Sequence, residues 1–286
     1  MKQRSTFREK CPSVCWQKQL RDEFLSQGTP PVPHLDVGRA IVRPVTRKFA
    51  EQIILKYEWL GTMSSTSEHF GIFFGNYCAG VCCVAMNGIG TGGTLAHAPF
   101  QVTRRELAML ARGACTHWAP SSSNSKLIAW TCRLLAIRRP GVRAVIAYSD
   151  LDAGEIGTVY QACGWIYVGK TNRVEQFVSP SGRVYDRRFM TANAKKRDIS
   201  CGAMRQILSD RGWIEQLGSS KHKYVKVLRK NDHVLIEHVK KMILPYPKRA
   251  SEEGDGGNHP HSGGAAPTST LQTTETGKQP LPVADH

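Results

Sequence analysis

Three side chains suited to binding charge or moving protons stand near the ends of apolar segments. Arg112 lies inside the apolar run 107–115, Asp150 follows the apolar run 144–148, and Tyr160 lies on the apolar face of a short helical pattern. A buried guanidinium is costly without partners, so Arg112 is expected either to form a structural ion pair or to face a functional cavity. Asp150 fits either a turn cap or a functional strand end. Tyr160 fits either core packing or proton donation, since a phenol with a pKa near 10 donates better than it accepts at neutral pH. We predict that the three side chains face one cleft.

A loop of small polar residues precedes the helix predicted after Arg112. Residues 121–125 are four serines and an asparagine. The first amides of a helix and its dipole favour an anion, whereas helix capping alone would explain a single serine. Five such residues together indicate a contact surface. The candidate cofactor contacts are Ser121, Ser123, Asn124, Ser125 and Lys126.

Apolar periodicity predicts the elements that would position these residues. Between 107 and 169 it indicates a strand, a loop, a helix, a strand, a short helix and a strand, which is a βαβ unit plus one further crossover. A strand at 40–44, a helix capped by Thr46 and a hairpin over Asn76 precede this core. A second hairpin at 176–185, a helix after Asp198, a strand at 221–226 and a last amphipathic helix follow it. The expected fold class is α+β or α/β, with a mixed central sheet flanked by helices.

Composition shifts divide the chain into four predicted regions. These are an irregular N-terminal arm (1–38) with a short helix near Trp16–Leu25, a catalytic domain (39–190), a small basic α/β appendage (191–250) and a disordered tail (251–286). Residues 186–250 hold 16 Lys or Arg against 6 Asp or Glu. The tail is Gly, Ser, Thr, Pro and acid, with little to pack.

The charge of the chain indicates a polyanionic partner. The net charge is +16 and the isoelectric point is about 9.6, in a chain with 41% hydrophobic residues. We therefore expect a nucleic acid as the partner, with Lys221, Lys223 and Lys226 on one face of a strand, although a solvated basic face would show the same pattern. No apolar run approaches the length of a membrane helix and no signal-peptide pattern is visible, so we expect no membrane partner and a cytoplasmic protein.

The nine cysteines are odd in number and lie mostly in apolar runs, which favours buried thiols in a reducing compartment over a disulfide framework. Cys11 and Cys15 form a close pair, but no second pair at zinc spacing follows. His69, His97 and His117 are scattered without metal-ligand spacing, so the metal ligands are left open.

A longer string of motifs carries a family resemblance. Helix, tyrosine, glycine–aromatic turn and strand at 157–165 resemble the last helix and strand of the GNAT acyltransferase fold. The ordered motifs Leu110-Ala111-Arg112, Ala119-Pro120, Asn124-Ser125-Lys126, Ala147-Tyr148-Ser149-Asp150 and Gly154 to Ala162 resemble the Mom family of phage DNA-modification proteins. That family is GNAT-like and converts adenine in DNA to N6-carbamoylmethyladenine, which protects phage DNA from host restriction. The matching motifs cover roughly residues 55–170.

The resemblance implies double-stranded DNA as the partner and roles for individual residues. Asp150 would bind or deprotonate the adenine amine, Arg112 would hold an anionic or carbonyl group of the donor, and Tyr160 would orient substrate or donor. Trp59 or Trp118 would stack on an extruded base, with Tyr148 beside them, because chemistry on a base takes it out of the helix. Glu58 and Trp59 stand where related proteins often carry His-Tyr, so Glu58 replaces an imidazole by a carboxylate; a solvated Glu beside a core Trp is the other interpretation.

The resemblance also brings acetyl-CoA, or a related two-carbon donor, and iron into consideration as cofactors. No Gly-x-Gly acyl-CoA loop follows the first core strand, where the serine-rich loop stands instead. Two other functions stay open: a GNAT N-acyltransferase that uses acyl-CoA on a small molecule or protein, and a non-catalytic DNA-binding accessory protein. The sequence does not specify the DNA sequence preference or the oligomeric state.

Overall fold

The computed structural model describes residues 16–26, 35–86, 102–182 and 184–248, and the chain up to Lys248 forms one compact unit. The Cys11–Cys15 pair, His97 and the predicted disordered tail lie outside the described residues. Within the described ranges, no helix is long and apolar enough to cross a membrane.

Seven strands form the central sheet, in the order β1-β2-β3-β4-β5-β10-β6. The strands are β1 (Ile41–Pro44), β2 (Glu68–Phe74), β3 (Tyr77–Met86), β4 (Leu107–Cys115), β5 (Ala144–Asp150), β6 (Ile166–Lys170) and β10 (Lys221–Val227). Only the β4–β5 pair is parallel among the pairings of this sheet. The predicted fold class, a mixed central sheet flanked by helices, is confirmed.

Helices cover both faces of the sheet. They are α1 (Trp16–Ser26), α2 (Arg47–Tyr57), α3 (Ser123–Arg138), α4 (Thr158–Ala162) and α7 (His233–Lys240). Leu127 of α3 and Tyr160 of α4 belong to one core cluster, on what we call the α3 face. Ile54 of α2 and Val239 of α7 belong to two clusters on the opposite side, which we call the α2 face. Alternation along each strand then assigns every strand residue to one of the two faces.

The parallel strands β4 and β5 pair over only part of their length. Their register runs from Leu107 opposite Ala144 to Leu110 opposite Ala147, whereas β4 continues to Cys115 and β5 to Asp150. The register of β4 against β3 shifts at the same level, which leaves Ala111 as the extra residue of a bulge. Because a bulge bends and twists its strand, β4 turns away from β5 beyond this point. The two strands therefore diverge toward their carboxyl ends and leave an opening in the sheet.

The predicted boundary at 190/191 is wrong for the strand at 221–226. This strand, β10, lies between β5 and β6 and is antiparallel to both, so it completes the central sheet. The predicted crossover from β5 to β6 consequently does not bring these two strands side by side. The sequence pattern did not show this insertion, because strand neighbours across long sequence separations leave no local signal.

Residues 171–220, which we call the insert, leave the central sheet after β6 and return to it at β10. They contain a second sheet, ordered β8-β7-β9, and two helices. The elements are β7 (Glu175–Val178), β8 (Val184–Asp186), α5 (Arg187–Lys196), α6 (Cys201–Asp210) and β9 (Ile214–Leu217). Phe177 packs with the buried residues of α5 and α6 in a separate apolar cluster. The predicted hairpin and the helix after Asp198 are confirmed, whereas α5 and β9 were not predicted.

Candidate active site

Arg112 and Glu58 lie together on the α2 face beside the opening between β4 and β5. Arg112 stands opposite Cys83 in the sheet, and its Nε lies 3.7 Å from Oε1 of Glu58. The guanidinium also donates to the carbonyl oxygens of Thr62 (2.8 Å) and Ala111 (2.7 Å). Arg112 thus contacts Glu58, Thr62 and Ala111, and these contacts hold the segment after α2 against β4, whereas its contact with a donor group stays a prediction.

Glu58 ends α2 and organises the turn that follows. Its Oε2 accepts hydrogen bonds from the amides of Leu60 (2.8 Å) and Gly61 (3.0 Å). Burial raises the pKa of the Glu58 carboxyl, and this effect outweighs the opposing attraction of Arg112. The side chain is only 14% exposed, which excludes the interpretation of a solvated glutamate.

Asp150 ends β5 and points to the same α2 face, by alternation from Tyr148 and Ile146. Its Oδ2 accepts a 2.6 Å hydrogen bond from Nζ of Lys221, its direct neighbour on β10. Its Oδ1 accepts from the amide of Asp152 and so caps the short 3-10 turn after β5. Both carboxylate oxygens are therefore occupied, and the turn-cap interpretation of Asp150 holds alongside any functional one.

Glu155 is a half-buried carboxylate between these groups, on the loop that joins the turn after β5 to α4. Its backbone amide donates to the carbonyl of Asp150 at 3.0 Å. Burial raises the pKa of Glu155 to about 7, with the nearby carboxylates of Glu58 and Asp150 adding to the effect and Lys221 opposing it. Within the described residues, its side chain has no hydrogen bond or ion pair. A carboxyl group that titrates near neutrality and has no fixed partner is suited to accept and release a proton.

Tyr160 lies on the α3 face, across the opening from Arg112 and Asp150. Its ring packs 5.2 Å from Trp165 and 5.2 Å from Tyr224, so the core-packing interpretation is correct for the ring. Burial, with Glu155 the next cause, raises its pKa well above the ordinary value, which keeps the phenol protonated. Glu155 contributes to the raised pKa of Tyr160, and Glu58 and Asp150 contribute to that of Glu155, so the Glu155 carboxyl is within electrostatic reach of groups on both faces.

The serine-rich loop leads into α3 on the α3 face. The N-cap Ser122 makes no side-chain hydrogen bond to the first turn. The hydroxyl of Ser123 is fully buried and has no hydrogen-bond partner in the described part of the chain. Ser121 is exposed, and Asn124 and Ser125 are half-buried. These polar groups fit the predicted contact with a cofactor.

Lys126 has a different role from the predicted one. Its Nζ donates to the carbonyl oxygens of Val37 (2.6 Å) and Gly38 (2.7 Å), so it ties the 3-10 turn before β1 to the start of α3. The ammonium is satisfied by backbone groups, and Lys126 is therefore removed from the candidate cofactor contacts.

The aromatic candidates fall on different sides of the sheet. Trp59 follows Glu58 and meets Trp16 edge to face at 5.6 Å, and Tyr148 is half-buried on the α2 face. Trp118 packs against the core cluster of the α3 face, near Phe74. Only Trp59 and Tyr148 thus lie on the same side as Asp150, and the prediction that Trp118 stacks on a base is not supported.

The three lysines predicted to bind DNA do not form one outward face. Lys221 pairs with Asp150, and Lys226 donates to the carbonyls of Cys163 and Gly164 at the end of α4. Lys223 is half-buried, and burial lowers its pKa. Alternation explains the difference: Lys221 and Lys223 share the α2 face, whereas Lys226 lies on the α3 face. The interpretation of a single basic face is wrong.

The described residues do not fit a metal centre. They contain no group of three or more His, Cys, Asp or Glu side chains placed to hold an ion. His69 contacts Thr66, and His117 packs against Tyr57, so these two imidazoles lie apart from the carboxylates of the opening. We assign no step to iron.

Glu155 and Lys221 are the site residues that sequence reasoning missed or misassigned. Glu155 lies inside the family motif 154–162, which could have marked it as a site residue. The loop sequence around it does not indicate that its carboxyl is near Glu58 and Asp150. Lys221 was predicted as a phosphate contact, and its pairing with Asp150 depends on the insertion of β10.

Comparison with known proteins shows a family and a curated relative for the chain. The model of the Mom protein family matches residues 39–248. The methylcarbamoylase Mom of Escherichia phage Mu is 25% identical over 129 residues, which are 45% of this chain and 51% of that protein. The chain thus spans about half the length of this curated relative.

Several solved acetyltransferases are among the structures similar to this chain. An IAA acetyltransferase from Bacillus cereus matches with a TM-score of 0.36 and 9% identity, over 66% of this chain and 99% of that one. The ribosomal-protein-S18-alanine N-acetyltransferase from Escherichia coli matches with a TM-score of 0.37 and 9% identity, over 67% and 97%. Structural similarity at this level of identity and TM-score gives no information about the chemistry of this chain. The family match, which covers most of the chain, does identify it: the protein belongs to the Mom protein family.

Proposed function

We propose that this protein is a DNA-modifying transferase that replaces one hydrogen of the exocyclic amine of adenine by a carbamoylmethyl group. Membership of the Mom family and the phage Mu relative support this activity. The observation that carries the proposal is the group of charged residues at the opening between β4 and β5, with the unpaired Glu155 at its centre. In a phage, the modified base would protect DNA from host restriction.

The adenine amine is a poor nucleophile because its lone pair is conjugated with the ring. The reaction therefore needs a base that removes a proton from N6. In the proposed step, a C–N bond forms between N6 and the methylene carbon of the donor. The bond from that carbon to the leaving group breaks with its electron pair, and one N6 proton moves to a carboxylate. Glu155 is the proposed acceptor because its pKa of about 7 leaves a substantial ionised fraction at neutral pH and still makes it an effective base.

Asp150 is a positioning residue in this account. Its Oδ2 is held by the 2.6 Å contact with Lys221 and its Oδ1 by the amide of Asp152, so a proton on Asp150 would weaken its ion pair with Lys221. Its charge instead holds Lys221 next to Glu155 and anchors the turn from which the Glu155 loop begins. Arg112 acts similarly on Glu58 and Thr62, and the Glu58 turn presents Trp59 on the side from which a flipped base would enter.

The donor would bind at the start of α3, where Ser121, Ser123, Asn124 and Ser125 provide hydroxyl, amide and helix N-terminal groups. When bound, it would supply the activated two-carbon unit. Tyr160, protonated and at the other side of the opening, would donate a hydrogen bond to the leaving group.

Mass spectrometry of nucleosides tests the proposal. DNA from cells that express the protein should contain a deoxyadenosine heavier by one carbamoylmethyl group in place of a hydrogen. DNA without any modified adenine, together with acetylated small molecules or proteins and retention of coenzyme A, would instead establish an N-acyltransferase. Unmodified DNA that is nevertheless bound tightly would establish an accessory protein.

A further inference from the structure

Both ends of the insert lie next to the candidate site. The amide of Thr171 donates to the carbonyl of Lys221, and the amide of Lys221 donates to the Thr171 hydroxyl. The insert thus leaves and re-enters the sheet at one point, next to the Lys221–Asp150 pair. Gln176 of β7 also reaches Oδ2 of Asp152, in the turn directly after Asp150, at 3.5 Å. Whatever the insert binds is therefore held near the opening between β4 and β5.

Helices α5 and α6 are joined by a four-residue turn. Asp198 in this turn has φ of 53°, and it is the only non-glycine residue with positive φ among the residues that the structure describes. The amide of Ile199 donates to the carbonyl of Ala194, and the amide of Asp198 donates to that of Lys195. These two bonds form a Schellman motif, which ends α5 and turns the chain sharply. Ser200 then caps α6 through the amide of Ala203.

The inner sides of the two helices pack together. Met190 and Ala194 of α5 and Met204 and Leu208 of α6 are all buried in one cluster. Two short helices that share a core and are joined by a tight turn of this length have the connectivity of a helix-turn-helix unit, the motif in which the second helix enters the major groove of DNA.

The outer sides suit a phosphate backbone and a groove floor. Residues 187–209 contain six Lys or Arg and one acidic residue, Asp198. Lys195, Lys196 and Arg197 are exposed at the end of α5. The first turn of α6 exposes small residues, including Gly202 and Ala203, and Gln206 follows on the same side one turn later. Small side chains at a helix start allow close approach, and its amides favour phosphate oxygens.

We propose that the α5–α6 unit is the duplex-docking surface of this protein, with α6 in the major groove and Lys195, Lys196 and Arg197 on the phosphates. The proposal rests on the proposed function, since it names the surface that presents DNA to the same site. It replaces the predicted face of Lys221, Lys223 and Lys226, whose side chains are held against the central sheet.

The test compares two triple variants in a DNA-binding titration at several salt concentrations. Changing Lys195, Lys196 and Arg197 together to Gln should reduce the slope of log affinity against log salt by about 2 to 3, because each phosphate contact contributes about 0.9. Changing Lys230, Lys240 and Lys241 together to Gln removes the same charge from exposed positions after the far end of β10, and should leave most of the slope intact. Equal slopes for the two variants would overturn the proposal.

A second variant tests the role of α6 separately. Ala203→Glu adds a carboxylate to the exposed first turn of α6 and removes no packed side chain, so circular dichroism and melting should be unchanged. DNA affinity should fall at least tenfold, and unchanged affinity would contradict docking by α6. Nucleoside mass spectrometry on the wild type separates the two proposals. Unmodified DNA together with a reduced salt slope in the Lys195, Lys196 and Arg197 variant would refute the proposed enzyme activity and support the docking surface. Modified DNA together with an unchanged salt slope would support the activity and refute the docking surface.

Discussion

Replacing Glu155 by Gln should change how the stability of the protein depends on pH. Burial and the neighbouring carboxylates of Glu58 and Asp150 raise the pKa of Glu155 from 4.5 to about 7. The folded protein thus retains a proton that the unfolded chain releases between these two pH values. The stability that comes from this proton is complete below about pH 4.5 and is lost as pH rises through 7. At 1.36 kcal/mol per pKa unit, the difference amounts to about 3 kcal/mol.

Urea unfolding of wild type and Glu155→Gln between pH 4.5 and 8 measures this difference. The glutamine stays neutral at every pH. The free energy of unfolding of the variant, relative to that of wild type, should therefore rise by about 3 kcal/mol between pH 4.5 and pH 8. Titrating groups away from Glu155 are common to both proteins and cancel in the comparison. Asp22→Asn, at an exposed position on α1, is the control for loss of one carboxylate. Parallel pH profiles for wild type and Glu155→Gln would refute the buried, crowded environment on which the proposed base depends.

Two further substitutions test the positioning of the site. Asp150→Asn keeps the turn cap but weakens the contact with Lys221. Modified adenine should therefore fall at least tenfold, while DNA affinity, measured by titration, stays near that of wild type. Unchanged modification would remove Asp150 from the mechanism. Gly157 has φ of 78°, and a Cβ there would lie 2.3 Å from the Tyr224 ring. Gly157→Ala should therefore lower the free energy of unfolding by about 3 kcal/mol or more, whereas Gly141→Ala, with nothing within 4 Å, should change it little in the same urea experiment.

Local patterns were sufficient for most of the central elements. The breaker-rich loop before α3, the Pro140-Gly141 stop and the glycine after α4 each determine where a helix begins or ends through backbone chemistry, and the structure confirms these elements. Thr46 caps α2 through the amide of Phe49, as its position before an amphipathic run predicts.

Long-range pairing was beyond the reach of the sequence pattern. The strand at 221–226 has the alternation of any half-exposed strand, and nothing local shows that it inserts between β5 and β6. This one placement decides the partners of Lys221 and Lys226, and it explains why both were expected to face DNA. Glu155 was missed for a related reason, since its pKa is raised by burial and by Glu58, a carboxylate from a distant segment of the chain, in addition to the nearby Asp150.

The central claim is tested most directly by nucleoside mass spectrometry of cellular DNA. The cells express wild type, Glu155→Gln or Asp22→Asn at equal soluble levels. That claim is that Glu155, at the opening between β4 and β5, takes the proton from the adenine amine. The account predicts carbamoylmethylated adenine in DNA from cells with wild type and Asp22→Asn, and a loss of at least a hundredfold with Glu155→Gln, at the lower end of the 10²–10⁴-fold contribution of a general base. Equal modification by wild type and Glu155→Gln would contradict it.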